Sequence, residues 1–434
     1  MTRRLSAQAL TCIALLALGG QDAWAQVDVG GQAADIGYRG LPATARGSPN
    51  GVNLSDDVIL HFGIGAEAGY DSNVFYAATA VQSAPILRVL PFLELTNARR
   101  SGAIPAGLYF NLNASLQYRE YLTEDPAIKE QRAFMPTLAG FLETNSGGTV
   151  SFGLGDTFTR TEDPPYIPNQ PPFIRYNNQA SLQLRFAPGG GRVQGLIRYT
   201  NSIDFFETES LRVANSMLNE VMVDASWRWL PKTALFVRVS QGIITFFNEG
   251  KNGSRPLRGV VGLRGLITEK LSATIAAGYV NGFYTGGEST SGVVGSISGN
   301  AELNYRPTVL TTLTLGYRRD FQNAIFGNFY YVNAVYAAIR QYVAGRLSLA
   351  LTGRYERRNY EGLPASAMAP TGRDDNFAQV GATFDYNLRS WLYTGIGYGL
   401  IFNDSDFTFP AGPDGDGRVD YTKHQVFARL GITN

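Results

Sequence analysis

The sequence predicts an all-β fold: a transmembrane antiparallel up-and-down β-barrel of the outer-membrane type, with about 18 strands and 16 as the alternative count. Three observations predict it. Apolar and polar side chains alternate over segments of about 9–13 residues, the length of a tilted strand that crosses a bilayer. The connections between these segments are alternately short and long. Aromatic side chains recur at both ends of the apolar faces, where a membrane protein meets the lipid headgroups.

Composition narrows the class of protein before any strand is assigned. Of 434 residues, 44% are hydrophobic and only 17% are charged. The mean hydropathy of -0.10 is too low for a bundle of spanning helices. Lys and Arg number 37 against 36 Asp and Glu, so no basic excess indicates nucleic-acid binding. One Cys and two His are too few for a disulfide scaffold or a Cys/His zinc site, and we predict neither a cofactor nor a metal.

The first 25 residues have the three parts of an export signal. Arg3 and Arg4 give a positive start, residues 9–18 form a short apolar run, and Ala23–Ala25 is a small-x-small cleavage site. The apolar run is well short of the roughly 20 residues that a spanning helix needs. We therefore predict a signal peptide over residues 1–25.

Two further regions follow the signal. Residues 26–57 are rich in Gly, Ala and Asp, contain Pro42 and Pro49, and do not alternate, which predicts a flexible periplasmic segment. Residues 58–434 are predicted to form the barrel. On the first strand one face carries Val58, Leu60, Phe62, Ile64, Ala66, Ala68 and Tyr70, and the other carries His61, Gly63, Gly65, Glu67 and Gly69.

The connections fall into two classes. Short turns of the kind that tight hairpins require are predicted at 144–148, 187–191, 230–232, 268–270, 306–308, 340–344 and 387–390. Long polar connections fall at 71–84, 120–131, 161–178, 201–218, 246–256, 281–291, 319–328, 356–375 and 403–421. Nine long connections imply nine hairpins and hence 18 strands, with periplasmic turns and extracellular loops. The segments 86–95 and 133–142 alternate poorly, which leaves 16 strands as the alternative.

Aromatic side chains end the apolar faces in two sets. Strands that run outward end in Tyr70, Tyr118, Phe158, Tyr199, Tyr279, Tyr317, Tyr355 and Tyr398, and strands that run inward end in Phe186, Trp229, Tyr305 and Tyr386. Amphipathic rings are favoured where apolar and aqueous surroundings meet. The two sets therefore predict an aromatic belt at each interface with the outer-membrane lipids.

Parity along each strand assigns the residues that face the barrel interior. An interior formed by about 18 strands is too wide for side chains to fill, so we expect a water-filled or plugged lumen. The predicted pore-lining residues are Arg119, Arg185, Arg198, Arg228, Arg238, Arg264, Arg318, Arg354, Glu67, Asp224 and Glu302. The excess of Arg favours anions in a pore. The alternative is that Arg only solvates the lumen and pairs with the few acids.

The long connection 161–178 is the candidate constriction loop. It is rich in Pro, which favours a fixed excursion of the chain. It follows the fifth predicted strand, the place where diffusion porins fold a loop into the pore. Its candidate residues are Glu162, Asp163, Pro164, Pro165 and Tyr166. The other interpretation is a rigid external loop.

We predict no enzymatic activity. Barrel enzymes of the outer membrane use His with Ser or Asp. His61 is predicted to face inward near the start of the first strand, and His424 to face outward near the opposite rim. These positions give no base–nucleophile pair, even though the first and last strands must pair when the barrel closes.

A hexapeptide at the end of the first strand carries a family resemblance. Tyr70, Asp71, Ser72, Asn73, Val74 and Phe75 follow the Gly-rich segment 63–69. This opening resembles that of a bacterial family of outer-membrane β-barrel porins, the type-2 group. Members often belong to exopolysaccharide secretion systems, so the resemblance implies a conduit for a secreted polysaccharide that works with periplasmic polysaccharide-export proteins.

Three functions follow from these observations. The first is exopolysaccharide export across the outer membrane of a Gram-negative bacterium, with both termini periplasmic. The second is a general or anion-selective diffusion porin for small solutes. The third is a structural or adhesive barrel that presents extracellular loops.

Overall fold

The protein, seen in a computed structural model, is described over residues 51–98, 105–163, 173–285, 295–324, 329–361, 373–407 and 418–434. The predicted signal peptide and most of the predicted lead-in lie outside these residues. Most of the described residues are in β-strands, and the one α-helix among them has four residues. No helix within it is long and apolar enough to cross a bilayer.

Eighteen long strands lie in the described residues, and we number them β1 to β18. The first nine are β1 Ile59–Asp71, β2 Ala84–Thr96, β3 Gly107–Tyr121, β4 Ala133–Ser146, β5 Val150–Asp163, β6 Phe173–Phe186, β7 Val193–Phe206, β8 Ser216–Leu230 and β9 Thr233–Phe246. The others are β10 Leu257–Leu266, β11 Leu271–Asn281, β12 Gly295–Thr308, β13 Thr311–Asn323, β14 Phe329–Val343, β15 Leu347–Glu361, β16 Arg373–Arg389, β17 Leu392–Ser405 and β18 Tyr421–Thr433. A two-residue strand, Val52–Asn53, pairs with the start of β1.

The sheet closes on itself. Each strand pairs with its neighbours in sequence, and β18 pairs with β1 from Gln425 opposite Asp71 to Thr433 opposite Gly63. Closure removes the edge strands, so the backbone groups of every strand find partners, as a hydrocarbon environment requires. The predicted all-β antiparallel barrel is confirmed, with 18 strands rather than 16.

The two segments that alternate poorly are full strands, β2 and β4. On β2 the inward positions include Ile86 and Phe92. Ile86 lies beneath the loop that follows β1, and Phe92 packs against Tyr393 of β17. These inward side chains face protein instead of water, so apolar residues are favoured there and the alternation is lost.

Several strands are longer than the sequence predicted. The 18 strands range from 10 residues in β10 to 17 in β16. The predicted upper limit of about 13 residues was therefore wrong. Pairing continues into segments that were predicted as loop, as Phe321 opposite Tyr331 and Arg358 opposite Val332 show. A ladder of backbone hydrogen bonds does not need lipid around it, so strands continue past the apolar stretch that marks the bilayer.

The two faces of the sheet differ in exposure. On β8, Val221, Val223 and Trp227 are exposed, whereas Met222 and Asp224 are buried. Side chains inside a barrel shield one another, so the exposed apolar face is the outside of the cylinder. Most of the polar and charged residues of the strands lie inside.

A repeated hydrogen-bonding pattern lies on the outer face, at the end of the barrel from which the long loops emerge. An outward Tyr on one strand contacts a polar residue that lies two positions nearer to the loops than the residue paired with that Tyr on the neighbouring strand. The hydroxyl donates from Tyr70 to Ser83 over 2.6 Å, from Tyr199 to Asn219 over 2.7 Å, from Tyr317 to Asn333 over 3.1 Å and from Tyr355 to Asn376 over 2.9 Å, and that of Tyr398 lies 2.9 Å from His424 Nδ1. This row of tyrosines marks a boundary between apolar and polar surface.

Candidate functional site: the inner wall of the barrel

All the residues that were predicted to line the pore lie on the inner face of the sheet. The pairing register places them there as Glu67 on β1, Arg119 on β3, Arg185 on β6, Arg198 on β7, Asp224 and Arg228 on β8, Arg238 on β9, Arg264 on β10, Glu302 on β12, Arg318 on β13 and Arg354 on β15. They fall into regions with different surroundings. We call the inner face of β6–β10 the basic wall, and the inner face of β16–β18 and β1–β3, on both sides of the closure, the seam wall.

The basic wall carries more Arg than acid. Its inward basic residues are Arg175, Arg185, Arg198, Arg228, Arg238, Arg258 and Arg264, and its inward acids are Asp204, Glu220 and Asp224. Between them lie Ser, Thr, Asn and Gln side chains. The wall therefore presents a net positive, hydrogen-bonding surface to the interior.

Asp224 is at the centre of this wall. Both Nε and Nη2 of Arg238 lie 3.0 Å from its Oδ2, and Nη2 of Arg264 lies 3.8 Å from its Oδ1. Arg228 and Arg264 pair with opposite sides of Ala234, so they stand on one rung. One carboxylate thus lies among several guanidinium groups and cannot neutralise them all.

These arginines remain open to the interior. The side chains of Arg238 and Arg264 each keep 23% of their exposure, and that of Arg185, near Glu143, keeps 19%. Arg228 is exposed. Water and solutes can therefore reach the guanidinium groups, which is what a surface that attracts mobile anions needs.

The seam wall is charged as well, but four of its central charges are buried and lie in opposed pairs. Arg88 lies 3.6 Å from Glu67, and Arg429 lies 3.0 Å from Asp385 and 4.0 Å from Glu67. The side chains of all four are at most 6% exposed. A small open pocket lies beside them, lined by Glu67, Arg88, Arg429 and Gly397 among others.

A third group surrounds Glu356 on β15. Its carboxylate lies 2.8 Å from both Arg354 and Arg358 and 3.9 Å from Arg318. Arg358 was not among the predicted pore-lining residues, although it shares the inward parity of Arg354. Glu302, on β12, accepts hydrogen bonds from Tyr336 and Asn304, each over 2.7 Å.

The hexapeptide forms a buried polar centre at the top of the seam. Asp71 is fully buried and accepts hydrogen bonds from Lys423 at 2.9 Å, Gln425 at 2.8 Å and Tyr121 at 3.1 Å. Its Oδ1 also accepts the backbone N–H of Asn73 at 3.1 Å. Four donors on one carboxylate join β1 to β3 and β18.

Asn73 fixes the chain that leaves β1. Its amide donates to the carbonyls of Ala77 at 2.9 Å and Thr422 at 3.1 Å, and its oxygen accepts the N–H of Ala77 at 2.9 Å. The backbone N–H of Ser72 donates to the His424 carbonyl over 2.9 Å. The start of the loop is therefore bonded to β18 and to itself.

Sequence reasoning missed Lys423, the partner of Asp71. Its ammonium lies 3.4 Å from the carbonyl oxygen of Val74 and 4.0 Å from the ring centroid of Tyr76. A signal was available, because Lys423 has inward parity on the last strand and that strand must pair with the first. The loop that covers it could not be read from parity.

The candidate constriction loop can be followed only at its start. Pro164, Pro165 and Tyr166 lie outside the described residues, and Asp163 ends β5. The carbonyl of Glu162 accepts a hydrogen bond from Arg119 over 2.8 Å, and its carboxylate pairs with Arg160 at 2.7 Å. The prediction that this loop narrows the pore stays a prediction.

No group of three or more His, Cys, Asp or Glu in the described part of the chain could hold a metal ion. The two His lie on opposite faces and near opposite ends of paired strands. His61 faces inward near the start of β1, whereas His424 faces outward at the long-loop end and contacts Tyr398. The residues that could act on a solute are therefore the arginines of the inner wall.

Among solved structures, similar folds are outer-membrane barrels. OpdK from Pseudomonas aeruginosa is 10% identical with a TM-score of 0.46, and covers 86% of this chain and 99% of its own. OpdL from the same organism is 13% identical with a TM-score of 0.44, over 88% and 99%. The FrpB iron transporter of Neisseria meningitidis is 6% identical with a TM-score of 0.46, over 90% and 83%. No curated protein matches the chain.

A family model described as "Putative beta-barrel porin 2" matches residues 211–430, half of the 434-residue chain. The matched region runs from the loop before β8 into β18 and includes most of the basic wall. The chain therefore belongs to this family and is a porin-like β-barrel of the Gram-negative outer membrane.

Proposed function

We propose that this barrel is a channel for anionic carbohydrate and serves as the outer-membrane conduit of a secreted polysaccharide. The observation that carries the proposal is the basic wall, with seven inward Arg against three acids and several guanidinium groups open to the interior. A row of Arg attracts carboxylate or phosphate groups and can bind them bidentately. The Gln, Ser and Asn side chains between them can hydrogen-bond sugar hydroxyls.

The polymer itself is suggested by the resemblance of the hexapeptide 70–75. On this proposal the long loops are extracellular, and the short turns and both termini are periplasmic, where export proteins would deliver the chain. The row of outward tyrosines at the long-loop end supports a membrane interface at that height.

Deletion of the gene tests the export role. Cells that lack the protein should lose surface polymer while they continue to make its precursor, and the gene supplied in trans should restore it. Unchanged surface polymer in the deletion strain would eliminate the export role, and only the proposal that the barrel is a channel would remain.

A second candidate, a diffusion porin for small anions, is favoured by the same basic wall. Reconstituted protein should then conduct steadily with anion preference in a salt gradient. Arg228→Glu combined with Arg238→Glu should reverse the sign of the reversal potential. The matched control is Lys232→Glu with Lys270→Glu, which makes the same charge change in exposed short turns and should leave the preference anionic. A native barrel that stays closed in bilayers would count against passive diffusion.

Labelling tests the orientation. Glu130→Cys lies in a long loop and Lys270→Cys in a short turn, and both positions are exposed. A membrane-impermeant maleimide added to intact cells should label the first variant and not the second. The reverse pattern would invert the proposed orientation.

A further inference from the structure

The first loop, residues 72–83, folds into the barrel mouth instead of away from it. Val74 and Phe75 are fully buried and belong to one cluster with Ile86 of β2, Tyr121 of β3 and Phe427 of β18. These three partners occupy inward positions of the seam wall. A loop that packs on inward side chains lies inside the cylinder.

Tyr76 extends the same cover across the closure. It packs with Phe377 of β16, Ile401 of β17 and Tyr421 of β18. Its ring lies 5.0 Å from that of Tyr421, edge to face. Together with the preceding two residues, it places the first loop in front of strands on both sides of the seam.

The next long loop packs against the first. Its short helix α1, Pro126–Lys129, is capped by Asp125, whose side chain accepts the N–H of Ala127 at 2.9 Å. Ile128 of this helix is buried in the same cluster as Val74 and Phe75. The two loops therefore pack together over the inward residues of the seam wall.

Buried charge holds the first loop in this position. Lys423 contacts Asp71, the Val74 carbonyl and the Tyr76 ring, so one ammonium joins the strand end to two residues of the loop. Tyr76 is held at φ 53°, in the left-handed region that disfavours a side chain. Such a conformation persists where surrounding contacts determine it.

From this arrangement we infer that the first loop is the constriction of the channel and sets the size of solute that can pass. It occupies the mouth in front of the seam wall, whereas Arg185, Arg238 and Arg264 of the basic wall remain partly exposed to the interior. A solute therefore moves along the arginines of β6–β10. The inference rests on the proposed function, that the barrel conducts.

The test shortens the loop without separating its ends. The N–H of Val74 already donates to the carbonyl of Gln82 over 2.8 Å, so Gly-Gly in place of residues 75–81 can close the hairpin. Single-channel conductance in planar bilayers and the entry of sugars of increasing size into liposomes are measured on the full protein. The shortened variant should conduct more per channel and admit larger sugars than the native protein.

Two further variants keep the test interpretable. Gly-Gly in place of residues 248–250, an exposed tip on the loop between β9 and β10, is the matched control and should leave both measurements unchanged. Tyr76→Gly removes one buried ring at a φ that Gly adopts freely. It should raise the conductance and the size limit by less than the shortened loop does. If the shortened variant does not fold, Tyr76→Gly still tests whether the first loop narrows the channel.

The outcomes separate the inference from the proposed function. Larger conductance and a higher size limit in the loop variants support the inference, whether the native protein is open or closed. If native and variant channels have equal conductance and equal size limits, the first loop is not the constriction, and the proposal that the barrel is a channel stands. Native and folded variant barrels that both stay closed overturn the channel and the inference together.

Discussion

The basic wall and the seam wall are built from the same residue types on the same face of one sheet, yet they differ in cover and in charge balance. On the seam wall, Arg88, Arg429, Glu67 and Asp385 are buried and lie in opposed pairs. On the basic wall, Arg238 and Arg264 share one Asp224 and keep access to water.

The difference follows from the cost of desolvation. A charge removed from water must find an opposite charge or hydrogen-bond partners close by, whereas a hydrated charge need not. Like charges can therefore accumulate where the lumen stays wet, and they are matched on the seam wall, where they are buried. Inward charge stabilises the fold on one wall and remains available to solutes on the other.

The largest expected effect is the loss of one buried partner at the top of the seam. Lys423→Met leaves the carboxylate of Asp71 buried without its cation, which destabilises a protein by about 3–5 kcal/mol. Adding Asp71→Asn to this variant should recover part of the loss, because the remaining group is neutral. The measurement is the midpoint of chemical unfolding in detergent.

Arg228→Met on the basic wall is the control for that change. Arg228 is exposed, and substitutions at such positions stay within about 0.5 kcal/mol. Equal destabilisation by Lys423→Met and Arg228→Met would abolish the distinction between the two walls.

A smaller effect separates selectivity from stability. Asp224→Asn removes the acid that partly neutralises Arg238 and Arg264, so anion preference in a salt gradient should increase; unfolding should become easier by less than in Asp385→Asn, because both arginines keep 23% of their exposure. Asp385→Asn removes the partner of buried Arg429, so unfolding should become easier while anion preference stays the same. If Asp385→Asn changed the reversal potential as much as Asp224→Asn, the seam wall would be part of the conducting surface.

A last effect is local and concerns a loop beyond the strand ends. Lys251, between β9 and β10, donates to the carbonyl of Ala324 and lies 4.9 Å from the ring centroid of Phe246. Burial lowers the pKa of Lys251 from 10.5 to about 7. Between these values the unfolded loop is protonated and the folded loop is not, so the fold of this loop is less stable at pH 7 than at pH 10.

Protease cleavage of the loop measures that difference. Cleavage should slow as pH rises from about 7 to about 10, and Lys251→Met should remove the dependence. A native loop whose cleavage rate is unchanged over this range, after correction for the protease itself, would contradict the assignment.

Much of the fold could be predicted because a barrel strand is a local pattern. The alternation in 58–70 marks β1, and the parity of Arg185, Arg198 and Arg228 places them inside without knowledge of any contact. Prediction was weaker where inward side chains meet protein, as at Ile86 and Phe92, because apolar residues then occupy both faces. It was wrong about strand length, because backbone pairing continues beyond the lipid.

The sequence by itself determined the barrel, the tyrosine row at its long-loop end and the Arg-rich interior, because each of these depends on a period of two residues and on side-chain type; the choice of 18 strands over 16 came from the structure. Only the tertiary structure decided which inward charges are covered and which remain open. That depends on closure, which brings Val74 to Lys423 across 349 positions of the chain, and on a loop that packs inside the cylinder. Parity assigns a side chain to a face, but it carries no information about what lies over that face.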